Sequence, residues 1–97
     1  MKSTKSAIRY AKALLEMSIE QNTIDSILYD MQRIVTMADG SKEFVIFLNS
    51  PVVKSDKKIL IIDKLLPKLQ PLSSAFISLL TKNGRAPILH FIASGFV

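Results

Sequence analysis

Apolar residues recur at three- and four-residue spacing along almost the whole chain, and no stretch sustains the strict alternation of a half-buried strand. Turn residues cut this pattern into about six helices. The first covers residues 4–20, with Ala7, Ile8, Ala11, Leu14, Leu15 and Ile19 on one arc at ~100° per residue. Lys5, Arg9, Lys12, Glu16 and Glu20 take the opposite side, and the polar "EQN" of residues 20–22 ends the helix. A second helix opens at Thr23, whose hydroxyl suits the free amides of a first turn, and Asp25 sits near its positive end. Ile24, Ile27, Leu28, Met31, Ile34, Val35 and Ala38 supply its buried stripe. Gly40 is expected to stop it, because glycine takes the left-handed conformation without a side-chain clash.

A short third helix follows Ser41 and carries Phe44, Val45, Phe47 and Leu48. "NSP" breaks it at residues 49–51, since the residue before proline resists helical geometry. Ser55 and Asp56 start a fourth helix, with Ile59, Leu60, Ile62, Asp63 and Leu66 before Pro67. The fifth spans residues 71–83, from Pro71, a residue suited to a first turn, to Asn83. Gly84 closes it, and Pro87 fits the first turn of a sixth helix that reaches the chain end. Turns this short favour antiparallel neighbours, so the pattern predicts an all-α fold, a compact six-helix bundle forming a single domain over residues 1–97.

Composition narrows the chemistry. At 48% hydrophobic and 22% charged the chain has the makings of one folded core. It contains no cysteine, which excludes disulfides, thiolate nucleophiles and thiolate metal sites. The first 17 residues mix charge with apolar positions and do not read as a signal peptide. The uncharged stretches at residues 44–53 and 86–97 fall short of the ~20 apolar residues that cross a bilayer, so direct membrane insertion is not expected.

The formal charge of +5 raises nucleic-acid binding as an alternative function, through Lys2, Lys5, Arg9 and Lys12. A second basic grouping comprises Lys54, Lys57, Lys58, Lys64 and Lys68. Neither grouping is interleaved with aromatics, and a solvated basic face accounts for both.

Catalytic constellations are sparse. His90, the single histidine, lies on the apolar "ILHFI" with no His or carboxylate at ligand spacing, and reads as a partly buried structural residue. The carboxylates Asp25, Asp30, Asp39, Glu43, Asp56 and Asp63 are dispersed, and the serines cluster where helix capping explains them. "KNGR" at residues 82–85 has one glycine and follows a helix, whose negative end repels phosphate and favours Lys82 and Arg85. It reads as a corner, with Arg85 pairing with terminal carbonyls or a nearby carboxylate. No catalytic, cofactor-binding or metal-binding residue is assigned, and the chain is expected not to be an enzyme.

Two helices carry surplus apolar surface. Tyr10, Ala13 and Met17 widen the first helix's stripe beyond what one core contact needs, and small Ala13 would admit a close neighbour. On the fifth helix Phe76, Ile77 and Leu80 suit the core, while Ala75, Leu79 and the stem of Lys82 form a shoulder. These shoulders either pack on neighbouring helices or form a groove for an amphipathic partner helix.

"RYAKALLEMS" at residues 9–18, "LNSPVV" at 48–53, and "LLTKNGR" at 79–85 followed by "ILHFIASGF" occur in one order and spacing. Together they resemble the N-terminal domain of the delta subunit of F-type ATP synthase, counterpart of the mitochondrial oligomycin sensitivity-conferring protein. The resemblance implies a non-catalytic six-helix domain capping the catalytic head, at the cytoplasmic face of the cell inner membrane. It implies that the N-terminal helix of the alpha subunit sits in a groove of the first and fifth helices. The matching positions are Tyr10, Ala13, Leu14 and Met17, facing Ala75, Ser78, Leu79 and Lys82. Ala75 is plainer than the polar residue that some relatives carry there. Family members are nearly twice this length, and their second domain, which meets the b subunits of the peripheral stalk, is absent from this sequence.

Overall fold

A computed structural model describes residues 4–96, and among them it contains helices and turns but no strand. The helices are α1 (Thr4–Glu20), α2 (Ile24–Gly40), α3 (Lys42–Asn49), α4 (Ser55–Leu65), α5 (Pro71–Lys82) and α6 (Leu89–Phe96), with one 3₁₀ turn at Ala86–Ile88. Helix α6 is the hub, flanked by α1 and α2, while α4 lies against α5. Leu14, Ile27, Met31, Ile34, Leu48, Ile62, Leu80, Leu89 and Ile92 are fully buried between them and form one continuous core. The radius of gyration, 12.3 Å, is that of a close-packed chain of this length.

The corners explain why the helices stop where they do. At the end of α1, Asn22 takes φ +59°, the Thr23 amide donates to the Ser18 carbonyl (2.8 Å) and the Asn22 amide to that of Ile19 (3.1 Å). This crossed pair is the Schellman arrangement, with asparagine at the left-handed position. Gly84 (φ +74°) builds the same corner after α5, where the Arg85 amide donates to Leu80 (2.9 Å) and the Gly84 amide to Thr81 (3.0 Å). Ser41 caps α3 by accepting the Phe44 amide at 3.2 Å. Ser50 is extended before Pro51, and the end of α3 is closed from outside by Lys58, whose ammonium donates to the Leu48 carbonyl at 3.0 Å.

Several expectations change. Thr23 precedes α2 but its hydroxyl does not cap it: the side chain lies toward the Ser18 carbonyl (3.5 Å), where the Schellman corner has brought it. Gly40 ends α2 without left-handed backbone, because the following Ser41 is already extended and starts the next cap. Pro87 is the second residue of the 3₁₀ turn that opens at Ala86, and α6 begins only at Leu89. Ile24 and Leu60 are exposed, and so are Ile8, Leu15 and Ile19 of the expected α1 core arc, Ile8 by 62%. The stripe that α1 buries is narrower: Ala7, Ala11, Leu14 and Ser18. Small residues there let α6 come close. A Cβ added to Gly95 would sit 3.9 Å from that of Ala11. Helices this near seal their contact with few side chains and leave the flanks of α1 uncovered.

Candidate functional site

Helices α1 and α5 are not a closely packed pair, and they meet through side chains at one end. The half-buried Tyr10 ring touches Phe76 of α5 edge-on, with centroids 6.1 Å apart and planes at 74°. The Arg85 guanidinium lies 5.9 Å from the centre of the same Tyr10 ring. Arg85 was expected to pair with helix-terminal carbonyls or a carboxylate. Only its backbone amide serves the carbonyl, and the cation rests instead on the aromatic face, which attracts it through the ring quadrupole.

Along α1 the flank beyond Tyr10 presents exposed Ala13 and Met17, with Leu14 fully buried beneath them. Along α5, Ala75, Leu79 and Lys82 are exposed and Ser78 is half-buried. Leu79 leaves 56% of its surface uncovered, so burial by neighbouring helices does not account for this shoulder. Phe76, Ile77 and Leu80 are buried on the other side of α5, as their periodicity predicts. The eight resemblance-derived positions thus comprise an outward-facing set on each helix, with Leu14 supporting one set from within.

Sequence reasoning missed other uncovered apolar surface. A cleft of about 220 Å³ between α1 and α6 is lined by Ile8, Ala11, Lys12, Leu15, Gly95 and Phe96. On another side, Tyr29, Arg33, Met37 and Leu65 line a cleft of about 420 Å³. It continues past Met37 and Leu65 to a neighbouring one at Phe44, Phe47 and Ile61. Leu65 gave little signal, because an isolated apolar residue near a helix end fits a core or a surface equally well. The α1–α6 cleft had one: alanines at positions 7 and 11 mark the contact line, which turns Ile8 and Leu15 outward.

The basic groupings also separate. Lys5, Arg9 and Lys12 are exposed, and Lys2 lies outside the described residues. Lys58 does not belong to a solvated face, since it is buried against the end of α3. His90 is half-buried and stacks on Phe91 with ring centroids 4.3 Å apart. Among the described residues, no group of three His, Asp or Glu side chains is arranged to hold a metal ion. No helix among them is long and apolar enough to cross a membrane.

The profile of the ATP synthase delta (OSCP) subunit family matches residues 7–97. The chain belongs to this family. Relatives similar to this delta-family chain include the ATP synthase subunit delta of Chlorobaculum tepidum, 35% identical over 97 residues, covering 99% of this chain and 54% of that protein. The subunit delta of Christiangramia forsetii is 31% identical, covering 100% of this chain and 53% of its own length. The fold is similar to a chain in the mitochondrial ATP synthase hexamer of Toxoplasma gondii, with TM-score 0.85 and 28% identity over 93% of this chain and 51% of that one. The delta-family sequence therefore spans about half the length of the relatives it matches.

Proposed function

We propose that this chain is a non-catalytic adaptor domain that holds an amphipathic helix, the N-terminal helix of the ATP synthase alpha subunit, across the outward faces of α1 and α5. In that role it joins the catalytic head to the peripheral stalk, whose b subunits meet the second domain of full-length relatives. ATP synthesis can then be coupled to proton transport at the cytoplasmic face of the inner membrane. The observation that carries this reading is the uncovered apolar surface of Met17 and Leu79, beside the half-buried Tyr10 and the small residues Ala13 and Ala75. Large side chains supply area to bury, at roughly 25 cal/mol per Å² before ordering costs. Alanines between them let a partner backbone approach, and Ser78 and Lys82 provide a polar margin.

A synthetic peptide of the alpha-subunit N-terminal helix should bind the chain saturably, and Ala13→Asp should abolish or greatly weaken that binding. Ala13 is exposed, so a carboxylate there is hydrated in the free protein but loses water without a partner when a helix docks. Unchanged affinity in a folded Ala13→Asp protein would contradict the assignment.

A further inference from the structure

We infer that Asp30 and Arg33 of α2 are positioning residues for the α5 docking face, an inference that rests on the function proposed above. Asp30 is a buried carboxylate, 2% exposed, and burying one is costly unless its oxygens are matched. One oxygen accepts the backbone amide of Gln70 at 2.9 Å, and the other lies 3.9 Å from the Arg33 guanidinium. Arg33 in turn donates to the Pro67 carbonyl at 2.8 Å. The two side chains therefore grip both ends of the short segment that joins α4 to α5. That segment contains Lys68 at φ +62°, a left-handed conformation that a lysine does not favour on its own.

The grip reaches the docking face through Gln70. This residue precedes Pro71, the first residue of α5, and its carbonyl accepts the Ser74 amide at 2.9 Å. Its amide is held by α2 and its carbonyl by the first turn of α5, so the start of α5 is registered against α2. Gln70, at the N-cap, makes no side-chain capping bond, and the Asp30 carboxylate that holds its amide lies near the positive end of the helix, where a negative charge is favourable. Ala75, Ser78, Leu79 and Lys82 follow on one rigid helix. A small change in where α5 starts therefore moves all of them relative to Tyr10 and Met17.

The test uses the whole chain and the alpha-subunit N-terminal peptide, with Arg33→Met, Arg33→Lys and Asp30→Asn. Arg33→Met removes the bond to Pro67 while leaving Asp30 on Gln70, and so keeps the fold testable if Asp30→Asn proves unstable. In the free protein, Arg33→Met should shift the amide resonances of Gln70, Ala75 and Leu79 while leaving those on the α1–α6 contact in place. Peptide affinity should fall roughly three- to thirtyfold, the scale on which changes remote from a site alter binding, measured at a temperature where the variant, which melts lower because one Asp30 oxygen loses its match, is still folded. Arg33→Lys, which keeps a donor for Pro67, should retain most of the affinity. Affinity and α5 resonances both unchanged in Arg33→Met would overturn the inference. If the parent chain does not bind the peptide, the proposed function fails, and unmoved α5 resonances in the variants would separately overturn the positioning role.

Discussion

Replacing Gly84 by valine tests the corner that ends α5. The residue sits at φ +74°, and a Cβ placed there would meet nothing within 4 Å, so the cost is conformational rather than steric. Forcing an L-residue into the left-handed region costs about 1–2 kcal/mol, and a β-branched side chain lies at the upper end. Reduced freedom of the unfolded chain returns part of this, about 0.4–1 kcal/mol for Gly→Ala. Taking the upper end, a net loss of about 1–1.6 kcal/mol in a domain of this size corresponds to a melting temperature lower by roughly 4–13 °C. Gly40 is the internal control, because it too has open space around its Cβ position but no left-handed backbone. Gly40→Ala should be neutral or slightly stabilising. Thermal unfolding followed by circular dichroism at matched concentration reads both variants. A Gly84→Val protein melting within about 2 °C of the parent, or a Gly40→Ala protein losing as much as Gly84→Val, would show that the left-handed backbone at Gly84 is not what the substitution penalises.

Four further substitutions separate support from surface. Lys58→Met keeps the aliphatic stem but leaves the Leu48 carbonyl without its donor, and should lower stability by about 1–3 kcal/mol, read as a reduced urea midpoint at constant slope. Ser73→Ala removes a buried hydroxyl that has no hydrogen-bond partner, so urea unfolding should show no loss and a gain of up to about 1 kcal/mol. A clear loss would reveal a partner for that hydroxyl. Leu14→Ala, in the core, should cost about 2–5 kcal/mol. Leu79→Ala should leave the melting temperature nearly unchanged and weaken peptide binding, and equal melting losses for the two would contradict their different burial.

The helix pattern and its breaks were legible because they depend on local chemistry: Ser41 as a cap, the residue before Pro51, Pro71 at a first turn, Gly84 at a left-handed corner. Gly40 shows the limit of such reasoning. The same residue type ends a helix there without using its special backbone freedom, since Ser41 caps the next element immediately. The left-handed backbone at Asn22 and Lys68 was not anticipated, because those conformations are held by bonds to Ser18 and by the segment clasped from α2. Burial on α1 was misassigned for a tertiary reason. Periodicity locates an apolar arc, but which third of a wide arc faces inward is decided by the neighbour, and small residues at 7, 11 and 95 bring α6 against one edge of it. Long-range polar contacts left no trace in the pattern: Lys58 looked like one of several surface lysines, and Asp30 like one of several dispersed carboxylates. The outward positions Tyr10, Ala13, Met17, Ala75, Leu79 and Lys82 could be named in advance as surplus surface. What the proposed partner helix would bury there is not contained in one chain's periodicity.

The most direct test of the central claim is a map of amide chemical-shift changes as the alpha-subunit N-terminal peptide is titrated into the chain. The changes should concentrate at Tyr10, Ala13 and Met17 on α1 and at Ala75, Ser78, Leu79 and Lys82 on α5, with the edge-on contact of Tyr10 and Phe76 also perturbed. Changes that avoid both helices, or that gather instead around Tyr29, Met37 and Leu65, would contradict the claim.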